Sequence, residues 1–160
     1  MFFMSTILYR LAEARDARQL ADLRWGLRTD DDPACDAGAK ARFIEDFAAW
    51  MAGRPDRDLV HWVAEQDDEL IGVISVRIIH KLPSPEDMDG RFGYLTNSYV
   101  PPQHRNKGVG TELLAAVKNW AADEKLELLV VWPSERAYPF YQRGGYRRYP
   151  DPVVLKLWES

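Results

Sequence analysis

At 160 residues with 46% hydrophobic side chains, the chain can bury a core without metal or disulfide staples, and it reads as a single domain over 1–160. A formal net charge of −4 argues against a nucleic-acid partner, because phosphate binding shows as a basic excess. The lone Cys35 excludes an internal disulfide, and no run approaches the roughly 20 apolar residues of a membrane helix. With no basic flank or cleavage site in the opening residues, the cytoplasm is the expected location and a membrane is not an expected partner.

In chain order, Ile7 to Ala14 alternates loosely and reads as a first strand. Asp16 is placed to cap a helix in which Ala17, Leu20, Leu23 and Leu27 recur at helical spacing, ending near Thr29 and the acidic residues after it. Phe43, Phe47, Trp50 and Met51 mark one face of a second helix, stopped by Gly53 and Pro55. Asp58 to Glu65 and Glu69 to Ile79 read as two strands of a hairpin. The prolines and terminal glycine of Leu82 to Gly90 make a loop. A further strand alternates Phe92, Tyr94, Thr96, Ser98 and Val100 on one side. Next comes a helix with Val109, Leu113, Val117, Trp120 and Ala121 on one face. Leu126 to Trp132 is a continuous apolar run, the pattern of a strand buried on both sides. A short aromatic helix over Ser134 to Gly144 and a last strand over Val153 to Trp158 complete the order. The class is mixed α/β, with one parallel crossover around the segment that follows Val100.

That segment carries the chemistry. Arg105, Asn106, Lys107, Gly108, Val109, Gly110 and Thr111 put two glycines and two cations at the mouth of a helix. The first amides of a helix lack internal partners and its dipole is positive there, so phosphate is a natural occupant. Glycine lets the backbone approach closely or take φ > 0. The lysine precedes the glycines, so the Walker loop is absent. A dinucleotide fingerprint needs a third glycine where Leu113 stands, although Glu135 beyond the next strand keeps that option open. A solvated turn ahead of a helix is the remaining alternative.

The loop, preceded by Val100, Pro101 and Pro102, resembles the central motif of the GNAT superfamily of acyl-CoA-dependent N-acyltransferases: Arg or Gln, two residues, Gly, one residue, then Gly or Ala. A second pattern of that family matches Ser134, Ala137, Phe140, Tyr141, Gly145 and Tyr146, with Ser134 in place of the usual Asn. The resemblance implies a mixed, mostly antiparallel α/β (α+β) sheet with one parallel strand-helix-strand crossover, flanked by helices. It also implies a groove for acetyl-CoA where two parallel strands splay. Backbone groups of Ser98, Tyr99 and Val100 would pair with the pantetheine arm as an added strand. Amides from Arg105 to Thr111 would cradle the pyrophosphate, with Ser134 and Phe140 completing the cofactor contacts. Tyr141 matches the family's general acid, and an unperturbed phenol, with a pKa of about 10, keeps its proton at neutral pH. The amide near Tyr99 or Val100 would hold the thioester carbonyl.

The general base is the point of departure. Thr96 and Asn97 stand where many relatives carry Glu, and a hydroxyl and an amide can only order a relaying water. Asp30, Asp31 and Glu135 are the alternatives. No Cys/His cluster calls for a metal, and His61, His80 and His104 lie in unrelated settings. The loops after Arg28 and after His80 are rich in carboxylates, which favours an amine acceptor. The expectation is therefore acetyl transfer to a small-molecule primary amine in a ternary complex. A protein N-terminus or lysine as acceptor, a non-catalytic acyl-CoA sensor on the same scaffold, and a homodimer stay open.

Overall fold

A computed structural model of the chain describes residues 5–30, 36–53, 55–149 and 152–157. Its sheet has the order β1(Leu8–Leu11), β2(Leu59–Gln66), β3(Glu69–His80), β4(Arg91–Tyr99), β5(Leu129–Val130), antiparallel throughout except for the parallel pair β4 and β5. The helices are α1(Ala17–Thr29), α2(Ala37–Gly53), α3(Val109–Asp123) and α4(Tyr138–Arg143). This is the mixed, mostly antiparallel α/β architecture with one parallel crossover. Among the described residues no helix is long and apolar enough to cross a membrane.

Two apolar layers sandwich the sheet. On one face Val63, Val73, Leu70 and Tyr99 meet Leu20 and Leu23 of α1. On the other Ile74, Val76 and Leu95 meet Val109, Leu113 and Val117 of α3, with Tyr141 of α4. Alternation along β2 and β3 produces the division, because successive side chains leave opposite faces. The hairpin between them turns through Asp67 and Asp68, both at positive φ (52° and 64°), the conformation of a tight turn that matches strand twist. Gly72 lets α3 settle closely on β3: a Cβ there would lie 2.9 Å from Leu113 Cδ1 and 3.1 Å from Val109 Cγ1.

Four local expectations need correction. Asp16 stands at the N-cap of α1, but its carboxylate turns back to Arg10 (2.7 and 2.9 Å) and the Glu13 amide (2.6 Å), because a buried carboxylate needs a charged partner more than a cap needs an acceptor. The apolar run Leu126 to Trp132 pairs only at Leu129 and Val130, and Leu128 and Trp132 are exposed. Among the described residues it lies at the sheet edge, with no strand beyond it to bury its far side. Val153 to Leu157 forms no strand and is exposed; Trp158, its expected end, lies outside the described residues.

The fourth correction concerns β4. Thr96 faces Ser75 and Tyr99 faces Val73, so β4 spends three steps where β3 spends two. The extra residue makes a β-bulge, and Asn97 lies at φ 53°, a conformation asparagine tolerates well. The bulge shifts the alternation: Tyr99 joins the α1 face, while Ser98 contacts Tyr141 and Val100 packs with the α3 layer.

Candidate active site

The site forms where β4 and β5 part. Their pairing covers only Gly93 with Leu129 and Tyr94 with Val130. A Cβ on Gly93 would lie 2.7 Å from Leu129 Cδ2, so glycine there permits the close approach before the strands diverge. Among the described residues, the β5-facing edge of β4 has no strand partner from Leu95 onward. Such an edge is a template for an extended ligand.

The glycine loop lies directly after that edge. Asn106 (φ 60°) and Gly108 (φ 81°) bend the chain into the start of α3, with Gly108 at the N-cap. Among the described residues the amides of Asn106 to Thr111 donate to no protein group. A Cβ on Gly108 would meet nothing within 4 Å, so the space over the turn is open. Consecutive unpaired amides at the positive end of a 15-residue helix fit a phosphate or diphosphate. The row starts one residue later than expected, because the Arg105 amide bonds back to the Pro102 carbonyl at 3.2 Å.

Arg105 is also placed differently. Its guanidinium donates to the Val100 carbonyl at 2.8 Å and to Asp30 at 3.0 Å, and lies over the Tyr99 ring. It braces the loop against the end of α1, leaving Lys107 as a cation of the turn with no carboxylate partner among the described residues. Asp30 also accepts a hydrogen bond from the Tyr99 hydroxyl at 2.5 Å. Burial first, then Asp30, push the Tyr99 phenol well above its ordinary pKa.

Tyr141 is buried, with its hydroxyl 3.0 Å from Ser98 Oγ. Phe140 and Tyr146 hold the ring edge to face, at 5.0 and 5.5 Å between centroids. Burial raises its pKa, partly offset by the Ser98 bond, so the phenol keeps its proton at neutral pH. Phe140 also packs against Gly110, where a Cβ would lie 3.2 Å from Phe140 Cε2. Between α3 and α4 a cavity of about 210 Å³ is lined by Thr111, Leu114, Phe140 and the cations Lys118 and Arg143. Sequence reading passed over those two cations, although Lys118 lies two turns beyond the glycine loop and Arg143 falls within the second motif.

Ser134 makes no side-chain cap; its carbonyl instead accepts the Ala137 amide at 2.9 Å, closing a 3₁₀ turn. Glu135, a candidate base, is exposed and faces Arg148 at 3.8 Å. Asp31, another candidate, lies outside the described residues.

Thr96 and Asn97 sit at the bulge, and Asn97 belongs to a chain the sequence did not reveal. Its Nδ2 donates to Ser75 Oγ at 3.0 Å, and Ser75 lies 2.7 Å from His61 Nδ1. The Ser75 oxygen accepts from Asn97, and the direction of its bond with His61 Nδ1 depends on the imidazole tautomer. Burial, then the Arg77 charge, lowers the His61 pKa to about 4, which keeps the ring neutral at neutral pH. The Asn97 carbonyl faces Arg24 of α1 at 3.4 Å. A slightly larger cavity, of about 240 Å³, lies between the ends of β1, α2 and β2 and includes His61 in its wall.

Residues 17–146 match the model of the Acetyltransferase (GNAT) family. The chain belongs to that family. It is 33% identical over 115 residues to aminoglycoside N(6')-acetyltransferase type 1 of Stenotrophomonas maltophilia, covering 71% of this chain and 67% of that one. A predicted acetyltransferase from Clostridium acetobutylicum, in a crystal structure with acetyl-CoA, superposes with a TM-score of 0.71 at 24% identity, over 95% and 97% of the two chains. Aminoglycoside N-acetyltransferase AAC(6')-Iy, in complex with CoA, superposes with a TM-score of 0.67 at 19% identity, over 95% of each chain. At these identities the structural likeness is one of fold. The GNAT assignment agrees with the parted strands and the open helix mouth.

Proposed function

We propose that the protein transfers an acetyl group from acetyl-CoA to the primary amine of a small molecule, directly within a ternary complex. The unpaired amides from Asn106 to Thr111 beside the open β4 edge carry this reading. They offer a diphosphate its hydrogen bonds, and the edge from Leu95 to Tyr99 offers an extended arm a row of backbone partners. The S. maltophilia relative, named for aminoglycoside acetylation, supports a small-molecule amine as acceptor.

When bound, acetyl-CoA supplies an activated thioester. Ser98 and Val100 would align the pantetheine arm, and the amide of Tyr99 or Val100, just after the bulge at Asn97, would hold the carbonyl oxygen. The Tyr141 phenol, protonated and 3.0 Å from Ser98, would deliver its proton to the departing sulfur. Thr96 and Asn97 would order the water that relays the amine proton outward. Phe140 and Ser134 would contact the arm from the α4 side.

Calorimetry with acetyl-CoA, CoA and NAD tests the binding half. Acetyl-CoA and CoA should bind and NAD should not, and tighter binding of NAD would replace this reading with a dinucleotide enzyme. Thiol release over an amine panel tests the catalytic half. Tight CoA binding with no amine accepted would mark the protein as a sensor.

A further inference from the structure

We infer that the acceptor bears an oxyanion, a carboxylate or a phosphate, in addition to its amine, and that Arg24 with Arg28 one helical turn further receives it. This rests on the acyl-transfer reading and concerns the other wall of the same cleft. Arg24 and Arg28 stand four residues apart on α1, on the side that reaches the β4 bulge.

Several of the arginines elsewhere in this fold have carboxylate partners. Arg10 has Asp16 and Glu65, Arg18 has Glu45, Arg77 has Asp56, and Arg105 has Asp30. Among the described residues neither Arg24 nor Arg28 has one. The acids nearest on α1 and at its end are committed: Asp22 holds Lys40 at 2.6 Å, and Asp30 holds Tyr99 and Arg105. What faces Arg24 is the amide carbonyl of Asn97 at 3.4 Å, a long and neutral contact. Arg24 is partly buried, and that burial together with the Arg28 charge disfavours its charged form. Two like charges at this spacing are unfavourable on a helix unless an anion joins them.

The bulge itself adds no negative charge. Thr96, Asn97, Ser75 and the neutral His61 ring are all uncharged there. Ser75 fixes the Asn97 amide so that its oxygen is turned to Arg24, which keeps the guanidinium beside the bulge. An amine placed at the bulge for transfer therefore meets a cationic wall within the length of one arginine side chain. A compact zwitterion satisfies both features, whereas a polycation brings the amine but no anion for the wall.

The test compares matched amines in the thiol-release assay with the full chain: phosphoethanolamine with ethanolamine, an amino acid with its amide, and spermidine and kanamycin as polycations. The oxyanion-bearing member of a pair should be favoured about tenfold or more in kcat/KM, the expected size of a charge-assisted contact. Arg24→Gln should remove that preference by raising KM with kcat little changed, and Arg24→Lys should restore part of it. Equal or better use of the polycations and neutral amines, with the ratio unmoved in Arg24→Gln, would overturn the inference while leaving acetyl transfer intact. If no amine is acetylated, the acyl-transfer reading fails, and a nitrogen-15 NMR titration decides the anion question separately. Inorganic phosphate and acetate should shift the Arg24 Nε–H and Asn97 Nδ2 signals saturably in wild type and not in Arg24→Gln or Arg28→Gln. Shifts confined to the Asn106 to Thr111 amides would overturn it.

Discussion

The Tyr99 hydroxyl donates to Asp30 at 2.5 Å while its ring lies against the backbone of Gly26, one turn earlier on the same helix. A strand end, a helix end and, through Arg105, the glycine loop are thereby held at one point. A Cβ on Gly26 would lie 2.7 Å from the Tyr99 hydroxyl oxygen, so Gly26→Ala must displace the ring. Alanine at a mid-helix glycine ordinarily stabilises by roughly 0.5–1 kcal/mol. Here the clash should reverse the sign and destabilise by about 1–3 kcal/mol, read from urea unfolding midpoints. A more stable Gly26→Ala protein would show that Tyr99 is not held as described.

Gly108 should separate stability from binding. Its positive φ costs a side chain about 1–2 kcal/mol, but an added Cβ meets no protein atom. Gly108→Val should therefore remain folded by circular dichroism and lose affinity for CoA by two orders of magnitude or more in calorimetry. Wild-type affinity in this variant would count against the loop as the diphosphate site.

Tyr141→Phe removes one hydroxyl and its bond to Ser98. If the phenol is the acid, kcat should fall on the order of 100-fold, with CoA affinity nearly unchanged. Burial raises the Tyr141 pKa, so the protonated, active form persists beyond the ordinary phenol value. The alkaline limb of the wild-type rate should accordingly lie above about pH 10 and disappear in the variant. Unchanged turnover would leave Tyr141 as a packing residue.

His61 should set the stability of the fold in mild acid. Its folded pKa of about 4 is below the ordinary 6.5, so between these values the unfolded chain binds the extra proton. Stability should rise with pH across this window and fall as pH drops through it, by on the order of 3 kcal/mol in all. Asp16 acts at lower pH: Arg10 holds its carboxyl below the usual value, and its contribution is lost as pH falls beneath about 4. Urea titrations should show the 4 to 6.5 slope flattened in His61→Asn, with the more acidic limb retained. An unaltered slope would assign the mild-acid dependence to other groups.

Much of the architecture was readable along the chain. Leu20 and Leu23, Leu113 and Val117, and the Asp67 turn each declare their element through spacing or turn chemistry, and the class and order of elements follow from them. The open amides of the glycine loop were equally legible, since a helix start leaves its first donors unpaired whatever surrounds it. Edges were less legible. The run Leu126 to Trp132 and the tail Val153 to Leu157 are apolar enough for buried strands, but whether a strand gains a second neighbour depends on the whole sheet.

The sequence by itself determined the order of the main elements, the apolar faces of α1 and α3, and the unpaired amides at the mouth of α3, because those depend on periodicity and on backbone groups a few residues apart. Only the tertiary structure decided that β4 bulges at Asn97, that Arg105 reaches Asp30, and that His61, Ser75, Asn97 and Arg24 form one chain. Each of these joins residues far apart in sequence through strand register, and register is a property of the assembled sheet.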